Sequence, residues 1–264
     1  MNKTKRYLKI WKRAFIVAIS QDMAYRENFF IKGFASMLTD FLAPIVGILI
    51  YTYSKGIPGW SLHEYILLVG TFTLILGVAN LFFMEMPMKI MQAVRRGTFD
   101  RYMIMPYNTL MFLTLNGWHF DSIAEVFAGI VMMVWGLTGI NAVSAVNFLL
   151  FLVLLIVGII FYYAVYVIIG AIALMVVKCE GLFDLFFSLT KFSRYPMSIY
   201  GPITRIVFTF ILPLGISAFY PVEVLLKGGG VALMLKLVTP VFGFMIAAII
   251  FWNFAMKHHT SAGG

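Results

Sequence analysis

The run of apolar residues from 146 to 177, which contains no charged side chain, limits the possible folds more than any other feature. About 20 apolar residues suffice for a membrane-spanning helix, so this run must tilt or project beyond the bilayer. Four further apolar runs cover 34–53, 63–84, 122–140 and 235–256. They are continuous, which favours helices over the alternating strands of a membrane barrel. Charged residues make up 12% of the chain, against about a quarter in soluble domains. The sequence therefore predicts an all-α polytopic membrane protein with a single transmembrane domain.

The stretch from 181 to 230 admits two interpretations. Its apolar parts, 182–192 and 203–219, are separated by Arg194 and a proline-rich turn. In the first interpretation, 182–192 lies at the inner surface and 203–219 is the fifth span. In the second, 182–192 is a short fifth span and the following part enters the outer leaflet and returns. Internal prolines and glycines favour the second path, whereas Arg194 and Arg205 favour the inner side. Either way, we expect about six transmembrane helices.

Residues 1–28 are predicted to form an amphipathic helix on the inner leaflet. On a helix the apolar side chains share one face and the cations lie on the other or at its edges. The apolar face consists of Leu8, Trp11, Phe15, Ala18 and Ile19. Cationic residues interrupt the apolar ones, so a cleavable signal peptide is excluded.

The distribution of cations predicts the orientation. Lys and Arg cluster in 1–28 and in 88–108, and the turns near Lys55 and Ala142 contain almost none. The positive-inside rule places the N-terminus and 88–108 in the cytoplasm, and six spans return the C-terminus to the same side. The formal net charge of +9 is explained by this asymmetry and by contact with anionic membrane lipid, with no nucleic acid as a partner.

Three polar residues lie inside or at the ends of predicted spans. A carboxylate or amide in lipid is costly, so it should face protein or water. Asp40 has either a structural pairing, with Lys32 or with another helix, or a place in a substrate path. Asn80 and Glu125 are further candidates for this path. Asn80, together with Glu85 near the end of the second span, is also a candidate for hydrogen bonds between helices.

No catalytic, cofactor-binding or metal-binding constellation is present in the sequence. The glycines at 228–230 lack the Lys-Ser/Thr that completes a phosphate loop. His63 and Glu64 do not form a zinc motif, since Leu67 stands where the second histidine is needed. The single cysteine, Cys179, excludes an intrachain disulfide and a cysteine-based metal cluster. We therefore expect that the chain is not an enzyme.

Residues 88–108, called here the polar segment, are the most hydrophilic stretch between the spans. Within it, 97–106 reads Gly-Thr-Phe-Asp-Arg-Tyr-Met-Ile-Met-Pro, and a second motif at 195–202 reads Tyr-Pro-Met-Ser-Ile-Tyr-Gly-Pro. Together with the span pattern, these motifs resemble the permeases of type-2 ATP-binding-cassette (ABC) transporters, the mostly exporting class. The first motif is similar to that of the daunorubicin-permease-like branch. The resemblance covers nearly the whole chain.

The resemblance implies a dimer of permease subunits, identical or homologous, in a bacterial plasma membrane. Each permease would rest on a cytoplasmic ABC ATPase made as a separate chain, which would hold ATP and magnesium. It also favours the re-entrant path for 199–225. A short coupling helix after the second span would sit in a cleft of the ATPase. The residues that match this region are Val94, Arg95, Arg96, Gly97, Thr98, Phe99, Asp100 and Arg101.

The polar segment suits this task on physical grounds as well. Ile90, Met91 and Val94 can offer apolar surface to a partner, its arginines can meet acidic side chains, and Gly97 can end the short helix. A simpler interpretation is a basic loop that only sets the topology.

The function that the sequence predicts is the permease subunit of an ABC exporter. One alternative is an ion- or proton-coupled secondary transporter, but this class predicts internal repeats and ionisable residues clustered near the midplane, and the sequence shows neither. Another is a lipid-modifying membrane enzyme. Its only candidate group is His119, Asp121 and Glu125, and the spacing puts His119 and Asp121 on different faces of a helix.

Overall fold

The computed structural model describes residues 3–24, 26–140, 143–176 and 179–259. This part of the chain contains helices and no strand, and five of its helices are long and apolar enough to cross a membrane. These five cover Phe29–Tyr53, Leu62–Phe83, Phe120–Thr138, Ala145–Met175 and Val231–His258. The protein is an all-α polytopic membrane protein, as predicted.

The first half of the described chain forms seven α-helices. They are α1 (Lys3–Ala24), α2 (Arg26–Tyr53), α3 (Leu62–Phe83), α4 (Glu85–Arg95), α5 (Asp100–Met103), α6 (Thr109–Leu115) and α7 (Ile123–Thr138), with a 3₁₀ turn at Phe120–Ser122 before α7. The second half contains α8 (Ala145–Met175), α9 (Glu180–Thr190), α10 (Pro202–Ile206), α11 (Phe219–Lys227) and α12 (Val231–His258). A π-helical turn, Val207–Ile211, continues α10.

The predicted apolar runs lie at the positions of the long helices. The first long helix begins at Arg26 rather than near residue 34, so residues 26–28 belong to α2 and not to the N-terminal helix. The long fourth run forms a single helix of 31 residues, which corresponds to a length of about 46 Å. Since a hydrocarbon core is about 30 Å thick, this helix must tilt or extend past it, as expected.

Helices α3 and α7 pack with their backbones in contact. Each helix carries two glycines seven residues apart, Gly70 and Gly77 on α3 and Gly129 and Gly136 on α7. A Cβ atom on Gly129 would lie 2.5 Å from the backbone nitrogen of Leu74. A Cβ atom on Gly136 would lie 2.6 Å from the backbone nitrogen of Leu67. The crossing therefore requires glycine, as in other membrane helix pairs whose backbones approach closely.

Between α9 and α11 the chain is broken into short pieces. Neither α9 nor the continuous helical stretch Pro202–Ile211 has the length of a span. Pro213 has no backbone N–H to continue a helix, and the chain bends there into a 3₁₀ turn, Leu214–Ser217. Side chains tie the two sides of the break together, because the hydroxyls of Thr209 and Tyr220 share a hydrogen bond. The choice between a span and a re-entrant path for this stretch stays a prediction.

Helix α1 packs on the protein through aromatic side chains. The Trp11 ring lies 5.3 Å from that of Trp118, and the Phe15 ring lies 5.4 Å from that of Phe120, measured between ring centroids. Leu8 is 64% exposed. Part of the predicted apolar face of α1 therefore contacts this chain, and part is left for another environment.

The α3–α7 contact predicts an asymmetry between two Gly→Ala substitutions. In Gly129→Ala the new methyl group would overlap the backbone of α3, and overpacking of this kind costs about 1–3 kcal/mol. We expect a lower midpoint of thermal unfolding in detergent. Gly243→Ala is the matched control, because Gly243 is also inside a membrane helix and a Cβ there meets nothing within 4 Å. Equal midpoints for the two variants would contradict the proposed contact.

Candidate functional site

The polar segment begins with an amphipathic helix whose apolar face is buried within the chain. Ile90 is 0% exposed, and Met91 and Val94 are each 7% exposed. Helix α4 packs on α8, where a Cβ on Gly170 would lie 2.8 Å from Cδ1 of Ile90. The prediction that Ile90, Met91 and Val94 offer apolar surface to a partner is therefore wrong, since this face anchors α4 to its own protein.

Gly97 closes the C-terminal end of α4. Its φ of +63° is in the left-handed region, where glycine has no steric penalty. The backbone N–H of Gly97 donates to the Val94 carbonyl at 3.0 Å, and that of Thr98 donates to the Ala93 carbonyl at 2.8 Å. This pair of bonds is a Schellman motif. The prediction that Gly97 ends the short helix is confirmed.

The residues predicted to contact a partner fall into three groups by exposure. The side chains of Arg95, Arg96 and Arg101 are exposed, as is Gly97. Thr98 and Asp100 are half-buried, and Val94 and Phe99 are buried. The exposed group is therefore the most accessible from outside the chain, and Val94 and Phe99 pack beneath it. Ile104, next along the surface, is 83% exposed and was not among the predicted contacts.

Lys89 differs from the arginines of the polar segment, because its amino group points toward the protein. The Nζ atom donates to the Asn116 carbonyl at 2.5 Å and lies 4.0 Å from a carboxylate oxygen of Glu85. Desolvation by burial lowers the pKa of Lys89, and the Glu85 charge opposes that shift. Lys89 therefore links α4 to the end of α6 rather than adding to the exposed basic surface.

A polar cavity of about 470 Å³ lies among α2, α3, α7 and α9. It brings together Asp40 from α2, Asn80 from α3 and Glu125 from α7, which the sequence predicted one by one as substrate-path candidates. The remaining lining residues include four further polar or charged side chains close to the helix ends, Lys32, His119, Asp121 and Arg194, and the apolar side chains of Leu76, Met84 and Phe187.

Glu125 is held in the cavity by uncharged donors. The amide nitrogen of Asn80 donates to Oε2 of Glu125 at 2.9 Å, and the Ser36 hydroxyl donates to Oε1 at 3.4 Å. The Tyr166 hydroxyl of α8 in turn donates to the amide oxygen of Asn80. These bonds join four helices around one carboxylate, so the interhelical hydrogen bond predicted for Asn80 is present.

Asp40 is paired with Arg194, which sequence reasoning did not assign to it. The Arg194 guanidinium nitrogen Nη2 lies 3.6 Å from Oδ1 of Asp40, and the guanidinium also lies over the Phe72 ring at 5.4 Å. Lys32, the partner first considered, is instead 3.6 Å from Asp121. Asp40 is thus paired with another element, which was the alternative prediction. No sequence signal links residues 154 positions apart, so the pair depends on the fold.

The cavity does not have the donor set of a metal centre. Among the described residues, no group of three or more His, Cys, Asp or Glu side chains is placed to hold a metal ion. The acidic side chains are occupied instead by Arg194, Lys32 or hydrogen-bond donors. The arrangement can bind a polar group or stabilise helix contacts in lipid.

Comparison with known proteins gives one match that covers most of the chain. A family model described as ABC-2 family transporter protein matches residues 34–263. This region contains the polar segment, the cavity and the five long helices, apart from the first residues of α2. No curated protein matches the chain.

The Asp40–Arg194 pair gives a stability prediction. In Arg194→Leu the half-buried carboxylate loses its cation, and the cost should lie between that of an exposed pair, about 1 kcal/mol or less, and that of breaking a fully buried pair, about 3–5 kcal/mol. We expect a marked loss of thermal stability in detergent that a second substitution, Asp40→Asn, partly restores. Lys32→Leu is the control, because the more exposed Lys32–Asp121 pair should contribute about 1 kcal/mol or less. Additive losses in the Arg194→Leu and Asp40→Asn double variant would contradict the pairing.

Proposed function

Because the chain belongs to the ABC-2 transporter family, we propose that it draws energy from an ATPase made as a separate chain and uses it to export a substrate. Family membership makes the chain a membrane-embedded permease component of an ABC transporter, without a catalytic site of its own. In the proposed complex, ATP and magnesium are bound by the ATPase. The resemblance of 97–106 supports the daunorubicin-permease-like branch of the exporting class.

The polar segment is the proposed contact with the ATPase. The observation that carries this proposal is its two-sided construction, with an apolar face buried on α8 and a basic face left exposed. A loop that only sets the topology needs its cations. It does not need an apolar face buried on α8 or a Schellman motif at Gly97. A rigid basic surface is suited to meet acidic side chains of a partner, where charge complementarity guides association.

The polar cavity is the proposed start of the substrate path. Asp40, Asn80 and Glu125 converge there from three helices, and its walls also carry apolar side chains such as Phe187. A mixed lining of this kind can accept a molecule with both polar and apolar parts. The volume of about 470 Å³ is within the range of about 300–1,000 Å³ found for ligand pockets.

A second permease subunit is the proposed partner within the membrane. Among the five long helices, α2 and α12 bury the smallest share of their residues inside this chain. In lipid, such helices are free to pack against another subunit. The resemblance implies a bacterial plasma membrane, and the cation distribution supports an orientation with both termini of the permease in the cytoplasm.

The broken stretch between α9 and α12 is proposed to be re-entrant. The Trp60 ring, in the turn after α2, lies 5.8 Å from the Phe219 ring at the start of α11. Asn147, at the start of α8, donates to the Leu225 carbonyl at 3.5 Å. Both contacts join α11 to the same end of the bundle, opposite the polar segment. The guanidinium of Arg205 donates to the carbonyls of Met197 and Ser198, so part of its hydrogen-bonding need is met within the broken stretch itself.

Charge reversal on the exposed face tests the ATPase contact. We expect Arg96→Glu combined with Arg101→Glu to reduce co-purification of the ABC ATPase that binds the wild-type chain by about tenfold or more, because like charges would then face each other. Lys9→Glu combined with Lys12→Glu is the matched control on exposed residues of α1. Retention of the ATPase by both double variants to the wild-type level would overturn the proposed contact.

Cysteine labelling tests the re-entrant path. In a Cys179→Ala background, we expect Gly201→Cys and Lys227→Cys to react with a membrane-impermeant maleimide in intact cells. Lys9→Cys should react only after the membrane is permeabilised. If Gly201→Cys also required permeabilisation, 203–219 would be a full span and the re-entrant path would be wrong.

A further inference from the structure

The polar segment is joined by nearby backbone to two of the long helices, α3 before it and α7 after it. Helix α4 follows α3 directly, with Met84 between them, and its chain leads on to α6 and α7. Helices α8 and α12 are far away in sequence, although α4 packs on α8. A displacement of the polar segment therefore reaches α8 and α12 most directly through tertiary contacts.

His259, the residue after α12, makes three such contacts from one imidazole. Its side chain is 6% exposed. Its ring lies edge-on against the Phe99 ring, with 5.2 Å between centroids and an interplanar angle of 77°. Its Nε2 atom is 4.0 Å from Oδ1 of Asp100. Both Phe99 and Asp100 belong to the polar segment, so His259 connects that segment to the end of α12.

The same imidazole also holds the end of α8. Its Nδ1 atom is 2.9 Å from the carbonyl oxygen of Leu174, in the last turn of that helix. A carbonyl only accepts, so Nδ1 carries the proton and donates it. Carbonyls in a final helical turn lack helical donors, and a histidine is a suitable substitute. His259 thus joins the ends of α8 and α12 to the polar segment.

The neighbouring histidine shows that this arrangement depends on position and not on residue type. His258 is exposed, and its Nδ1 atom is 2.9 Å from the carbonyl of Phe254 in its own helix. Its ring packs on Phe254, at 4.1 Å between centroids. The two adjacent residues therefore share the same chemistry, but within the described chain the hydrogen bond and the ring contact of His258 both stay inside α12.

We propose that His259 is a positioning residue for energy coupling, which fastens the polar segment to α8 and α12 so that movement of the segment moves both helices. This inference rests on the proposed contact between the polar segment and an ATPase. The Ile90–Gly170 contact alone is apolar packing, which allows sliding. The directional bond to Leu174 and the contacts with Phe99 and Asp100 fix the position of the segment.

The test follows the far end of α12 in the assembled complex. Val231, the first residue of α12, is 78% exposed and is replaced by cysteine in a Cys179→Ala background. The complex of this full-length chain with its ATPase is placed in nanodiscs, and the rate of maleimide labelling is compared with and without magnesium-ATP. His259→Ala is compared with His258→Ala as the matched control, and the amount of bound ATPase is measured for every variant.

Loss of coupling in His259→Ala, with the ATPase still bound, supports the proposal. We expect the ATP-dependent change in labelling rate to fall about fivefold or more in His259→Ala, which is within the usual range for coupling between sites. The change should remain in His258→Ala. His259→Gln keeps an N–H donor for Leu174 and should retain more of the change than His259→Ala. A purely structural role would instead lower the yield of folded complex and leave the response of the surviving complex intact.

Two results separate this inference from the proposed function. If His259→Ala responds to ATP as the parent chain does, the inference is overturned while the ATPase contact stands. If the parent chain binds no ATPase, the proposed function fails and the inference fails with it. Should His259→Ala not assemble, Asp100→Asn tests the second contact of the imidazole by the same labelling measurement. An unchanged response in Asp100→Asn would also overturn the inference.

Discussion

The backbone contact between α3 and α7 is the constraint on which the rest of the structure depends. In lipid, apolar side chains gain little from leaving their surroundings, so helix association relies on close packing and on hydrogen bonds. The glycines allow the close packing, and they also make the hydrogen bonds between α3 and α7 possible. A Cβ on Gly77 would lie 3.0 Å from the Cβ of Glu125, so the absence of a side chain there lets Glu125 approach α3 and reach Asn80. The polar cavity is therefore a consequence of the same crossing.

Polar groups on membrane-spanning helices need partners, and those of the cavity come from separate parts of the chain. Asn80 is hydrogen-bonded to Glu125 and Tyr166, and Asp40 forms an ion pair with Arg194. Each bond joins helices that are distant in sequence. The ion pair has an additional effect, because Arg194 follows α9 and thereby fixes the broken stretch against α2 and α3. The cavity and the irregular path of the chain beside it are held by one set of interactions.

The sequence allowed the long helices to be predicted because length and apolarity are local properties. Gly97 was predictable for the same reason, since a helix end at a glycine after a basic turn is a local signal. The apolar face of α4 was misassigned, because periodicity shows that Ile90 and Val94 share a face and does not show what covers it. The pairing of Asp40 with Arg194 and the position of His259 arise from tertiary packing, which no spacing in the sequence encodes. His259 also lies next to His258, and composition alone gives no reason to distinguish them.

The polar cavity and the polar segment are connected in two ways, through the backbone between α3 and α4 and through side-chain contacts with α8. The backbone N–H of Met84, the residue between α3 and α4, donates to the Asn80 carbonyl at 3.1 Å, so the cavity residue lies one helical turn from the start of α4. A rotation of α4 would reach Asn80 through the backbone itself. Helix α8 meets the two sites through side chains, with Tyr166 bonded to Asn80 at the cavity and the Leu174 carbonyl bonded to His259 beside the polar segment. If α4 moved without α8, the bond between Tyr166 and Asn80 would be strained. If both helices moved together, this bond would be kept. The contact at Leu174 therefore determines whether the cavity changes shape or moves as a unit when the polar segment is displaced.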